Sequence, residues 1–117
     1  MEKRSNEPLS WALFGAGGIV AAVLLPIHIL LFGLVFPLGL LSSPSYQGLL
    51  ALVRHPLTRI YLLILCSLPL FHWAHRFRYT ISDGLQVKHL SGPIMVLFYG
   101  AAIFGTLLAA YLLGRIP

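Results

Sequence analysis

The stretch WALFGAGGIVAAVLLPIHILLFGLVFPLGLL, residues 11–41, contains no aspartate, glutamate, lysine or arginine. The charge-free gap around it runs from Pro8 to Val53. The apolar run inside that gap is longer than the roughly 20 residues a helix needs to cross a bilayer. A soluble chain of this length carries roughly 25% charged residues. Here 9% are charged and 58% hydrophobic, with a mean hydropathy of +0.88. The chain reads as an all-α integral membrane protein.

Within this first span, Trp11 marks the membrane surface and Pro37 and Gly39 fit the far end. Gly15, Gly17 and Gly18 offer a surface for close helix contact, with Gly15 and Gly18 one turn apart. Pro26 is expected to kink the helix, because its ring displaces the carbonyl four residues back. His28, deep in the span, can bond a backbone carbonyl or a partner chain. The charged head (Glu2, Lys3, Arg4, Glu7) leads into an apolar run too long for a cleaved signal, so the span is expected to be retained.

Ser42 to Ser45 is a turn. Over residues 46–55, Leu49, Leu52 and Val53 share one helical face, which predicts a short interfacial helix. Arg59 and Arg76 bracket the second span, residues 60–75, which is short, but both arginines can snorkel. Residues 78–92, with Ser82-Asp83-Gly84 and Ser91-Gly92-Pro93, read as a polar hairpin loop. The third span is 94–113. The expectation is one membrane domain over 1–117 with three spans, bathed by membrane lipids, and no soluble part.

Lys3, Arg4, Arg76, Arg78 and Lys88 fall on one side of this arrangement, and Arg54, Arg59 and Arg115 on the other. Positive-inside then places the N-terminus in the cytoplasm and the C-terminus in the periplasm. The net charge of +5 is thus an orientation signal, and no nucleic-acid partner is implied. Cys66 is the single cysteine, which excludes a disulfide framework and a thiol metal site.

Leu70 to Tyr79 packs two histidines, two arginines and four aromatics into ten positions. On a helix, His72, His75 and Arg76 share a face at the membrane edge. Such a face suits a quinone head group, a haem propionate or a lipid phosphate, or it simply pins a helix end. Carboxylates occur only in terminal or loop segments, so paired-carboxylate catalysis has no basis, and there is no nucleophile elbow. Bis-histidine haem ligation needs two rings at one depth, and His28 does not match His72 or His75 within one chain. A quinone site needs less: Trp11 donates its indole N–H, His75 donates or relays a proton, and Arg76 sets a fixed positive charge. Three spans rarely enclose such a pocket, so a partner membrane chain is expected.

Glu7-Pro8, Trp11, Leu13-Phe14-Gly15-Ala16-Gly17-Gly18, Pro37-Leu38-Gly39-Leu40, Ser45-Tyr46, Leu68-Pro69-Leu70, His75-Arg76 and Phe98-Tyr99-Gly100 occur in the order and nearly the spacing of a known family. The chain resembles the D subunit of bacterial fumarate reductase, the smaller of two membrane anchors in a four-subunit menaquinol:fumarate oxidoreductase. The resemblance implies a chain that is not an enzyme by itself. It would sit in the inner membrane with a companion membrane anchor and with iron–sulfur and flavoprotein subunits. FAD and iron–sulfur clusters would lie only in those partners, and no haem is expected. It also implies that Trp11, His75 and Arg76 line or border a proximal menaquinone site shared with the partners. Leu52, Arg54, His55, Arg78 and Tyr79 depart from the family's best-known member, and no role is carried to them. A purely structural anchor and a b-haem-binding anchor of the succinate dehydrogenase type are the alternatives.

Overall fold

A computed structural model describes residues 7–117; Glu2, Lys3 and Arg4 lie outside the described residues. Every regular element among those described is helical. The first rod begins with α1 (Glu7–Ile19), widens into a π turn (Val20–Leu24), continues as α2 (Leu25–Leu30) and widens again (Leu31–Val35). Pro26 is the second residue of α2. The expected kink is thus met by the π turn just before it, which holds Ala22, the residue whose carbonyl a proline ring at position 26 displaces.

The rod closes at Gly39, whose φ is +72°. The Gly39 N–H donates to the Phe36 carbonyl at 3.1 Å and the Leu40 N–H to the Val35 carbonyl at 3.0 Å. This pair of bonds is a Schellman cap, in which a left-handed residue lets the chain reverse while satisfying the last carbonyls. The apolar run thus outlasts the rod, and the expected limit at residue 41 includes leucines that follow the cap.

α3 (Tyr46–Arg54) is capped by the Ser45 hydroxyl, which accepts from the Gly48 N–H at 3.0 Å. α4 (Pro56–Gly84) starts with a proline at its first position, where the missing N–H costs nothing. It corrects the expected second span, which ended at residue 75, and the expected loop from Arg78. The helix runs unbroken through Arg76, Arg78 and Asp83. Charge marks where hydrocarbon ends, whereas the helix continues until a left-handed residue stops it. That residue is Gln86, with φ +55°. Its N–H reaches the Asp83 carbonyl, and that of Val87 reaches the Ser82 carbonyl at 3.0 Å. A single 3-10 turn (Lys88–Leu90) leads to α5 (Ser91–Gly114), with Pro93 in the first turn.

Three of the described rods are long and apolar enough to cross a membrane: Trp11–Val35, Pro56–Gly84 and Lys88–Gly114. α4 packs against both α1 and α5. The α4–α5 seam uses small residues: Ala74 and Ala102 are fully buried, and a Cβ on Gly105 would sit 2.8 Å from Leu70. Among the described residues, Leu65 is the only large apolar side chain that counts as buried. At the other end, the Arg59 guanidinium donates to the carbonyls of Val53 (3.2 Å) and Ile116 (3.0 Å), tying α3, α4 and the tail together.

Candidate functional site

The site forms where the start of α1 crosses the latter half of α4. Gly17 and Gly18 allow the crossing. A Cβ on Gly17 would lie 2.7 Å from the Leu68 carbonyl oxygen, and one on Gly18 would lie 2.9 Å from the His72 ring. Gly15, expected on the same contact face, has nothing within 4 Å of that position. His72 fastens the crossing. Its Nδ1–H donates to the Phe14 carbonyl at 2.9 Å, and its ring stacks on Phe14 with centroids 4.3 Å apart.

One turn further along α4, His75 packs edge-on to Phe14, with centroids 4.8 Å apart. Its Nδ1 is hydrogen-bonded to the Tyr99 hydroxyl of α5 at 2.8 Å. Phe14 and His75 then stand between two clefts. One, of about 450 Å3, is lined by Leu13, Phe14, Leu68, Phe71, His72, His75 and Tyr99. The other, of about 350 Å3, is lined by Trp11, Phe14, His75, Arg76, Tyr79, Thr80 and Asp83.

The three residues singled out in the sequence, Trp11, His75 and Arg76, therefore meet on the wall of one cleft. Trp11 sits edge-on to Phe14, with centroids 6.0 Å apart. Asp83 is a correction: it lies on helix α4 rather than in a loop, beside that cleft, and pairs loosely with Lys88 at 3.8 Å. Tyr99 was missed, because a tyrosine in the apolar third span carries no local mark of its contact with a residue 24 positions earlier.

His28 is placed elsewhere. Its Nδ1–H donates to the Leu24 carbonyl at 2.7 Å, and the Tyr61 hydroxyl of α4 donates to its Nε2 at 3.2 Å. Both ring nitrogens are thus engaged within the chain. Among the described residues no group of three or more His, Cys, Asp or Glu side chains is arranged to hold a metal ion.

The family model for the D subunit of fumarate reductase matches residues 1–113. The chain belongs to the fumarate reductase D subunit family. A similar protein of that name comes from Mycobacterium tuberculosis, 47% identical over 111 residues, 95% of this chain and 89% of the relative. Another, from Shewanella putrefaciens, is 38% identical over 110 residues, 92% and 88% of the two chains. The fumarate reductase match spans the α1–α4 crossing and Tyr99 alike, so the whole site lies within the shared region.

Proposed function

We propose that this chain is one membrane domain, residues 1–117, that anchors a fumarate reductase complex in the bacterial inner membrane and supplies part of its menaquinol-oxidising site. Membership of the family makes the chain a membrane anchor of fumarate reductase. A role in quinol oxidation is supported by a single observation, that Trp11, His75 and Arg76 share one cleft with Phe14 as its apolar wall. Companion anchor, iron–sulfur and flavoprotein subunits complete the assembly in this reading.

The residues fit a quinone. An aromatic wall takes the ring, and an indole N–H, an imidazole and a guanidinium stand at the cleft to meet oxygen atoms. Menaquinol bound there would supply two electrons to the complex and release its two protons at the site. Tyr99 holds His75 by Nδ1, which leaves Nε2 as the nitrogen available to exchange a proton with a ligand oxygen. Arg76 favours negative charge at that oxygen and is permanently cationic. Trp11, 66% exposed, keeps its indole N–H available as a donor.

The test is quinol–fumarate turnover of the purified complex with His75→Ala, beside fumarate reduction from an artificial dye donor. Loss of quinol turnover by about tenfold or more, the equivalent of roughly 1.4 kcal/mol, with dye activity intact is expected. Unchanged quinol turnover would leave only a structural anchor.

A further inference from the structure

The two arginines of His75-Arg76-Phe77-Arg78 look alike in the sequence, yet the fold gives them different surroundings. Arg76 is exposed and stands on the wall of the cleft with Trp11. Arg78 is half-buried and lines neither of the two clefts at His75. Arg78 and Tyr79 follow His75 by three and four residues, so on a helix both side chains lean back over its turn. The Tyr79 ring meets the His75 ring edge-on, with centroids 5.4 Å apart. From α5, the Tyr99 hydroxyl bonds His75 Nδ1 at 2.8 Å.

Arg78 ties these two rings together. Its guanidinium carbon lies 4.4 Å from the Tyr79 ring centroid and 5.3 Å from that of Tyr99. Both distances fall inside the roughly 6 Å reach of a cation–π contact. One terminal nitrogen donates to the Tyr79 hydroxyl at 2.7 Å, whereas the buried Nε has no acceptor among the described residues. A planar guanidinium can lie against rings and still donate in its own plane, which an ammonium group cannot do. Tyr79 lines the quinol cleft and Tyr99 lines its neighbour. One side chain outside both clefts thus braces a wall residue of each, and both of those residues touch His75.

We propose that Arg78 is a positioning residue for quinol oxidation: by clasping Tyr79 and Tyr99 it fixes the His75 ring so that Nε2 is presented to the quinol. This role rests on the quinol reading above. The rival is an arginine that serves only as cytoplasmic positive charge, for which lysine substitutes fully.

The first measurement needs no quinol. The purified complex is treated with diethyl pyrocarbonate at about pH 8, where unperturbed imidazoles are neutral, and carbethoxylation of His72 and His75 is followed by mass spectrometry. Arg78→Gln is expected to raise the His75 rate about threefold or more, as the ring and its Nδ1 come free. His72, held by the Phe14 carbonyl, is expected to keep its rate and serves as the internal control. An unchanged His75 rate, or an equal rise at both histidines, overturns the brace. Where Arg78→Gln does not assemble, Tyr79→Phe removes only the acceptor of the Arg78 hydrogen bond and is expected to give a smaller rise. The second measurement is menaquinol–fumarate turnover. Arg78→Gln is expected to lower kcat about three- to tenfold with KM for quinol unchanged, because Arg78 stands outside the cleft. Dye-driven fumarate reduction is expected to hold. Arg78→Lys is expected to recover less than about half of the lost kcat. Full recovery with lysine assigns Arg78 to bulk charge and overturns the proposal, as does a normal kcat in Arg78→Gln. Failure of the quinol reading shows separately: unchanged turnover in His75→Ala sinks it, and the catalytic role of Arg78 with it, even where the His75 rate rises.

Discussion

At the scale of the residue, His75 works only as well as it is held. Its ring has one hydrogen bond within the described chain, to Tyr99, and an imidazole without that partner can rotate about its side-chain bonds. Tyr99→Phe keeps the aromatic packing and removes the hydroxyl. Loss of about 1 kcal/mol of orienting hydrogen bond predicts a roughly five- to tenfold fall in quinol turnover, with dye-driven fumarate reduction unchanged. A shift in the pH profile of quinol turnover should accompany it, which a purely packing role for Tyr99 would not produce. Trp11, His75 and Arg76 could be singled out because aromatic and cationic residues stand out at the margins of apolar runs. Tyr99 could not, since its significance comes from a tertiary contact. His28 shows the reverse case: an ionisable residue in a span invites a functional reading, and here the Leu24 carbonyl and Tyr61 occupy it.

At the scale of the element, the α1–α4 crossing is the joint on which the site depends. Gly17→Ala places a methyl group against the Leu68 carbonyl, so the helices must part. A cost of about 1–3 kcal/mol is expected, read as a lowered melting midpoint of the complex and loss of quinol turnover. Gly15→Ala meets open space and should leave both unchanged; equal effects from the two would refute this account of the crossing. Which of the three glycines faces α4 was not legible, because a helix that is apolar all round gives no clue to its rotation. The end of α4 escaped the sequence for a related reason, since the arginines report the hydrocarbon boundary and not the backbone. Its actual stop, Gln86, occupies a conformation glycine adopts far more cheaply. Gln86→Gly is therefore expected to stabilise the α4–α5 connection by up to about 1 kcal/mol, seen as slower amide exchange in residues 82–90.

At the scale of the whole molecule, the three spans were legible because uninterrupted apolar length is a physical requirement of the bilayer. The short helix was legible from its own periodicity. Orientation rests on the Lys and Arg distribution, and it predicts that a periplasm-dependent reporter fused after Pro117 is active while a cytoplasm-dependent one is not. The opposite pattern would move the Trp11–His75 cleft to the periplasmic face and remove the basis for a cytoplasmic quinol site.

The scarcity of buried side chains has one more consequence. Only Leu65, Ala74 and Ala102 form an apolar interior among the described residues, while each span satisfies its own backbone hydrogen bonds and needs no neighbour to remain helical in lipid. Heating should therefore pull the rods apart long before it unwinds them. Far-ultraviolet circular dichroism would register almost nothing as the cleft is lost, whereas near-ultraviolet signals from Trp11, Trp73 and Tyr99 would report the separation.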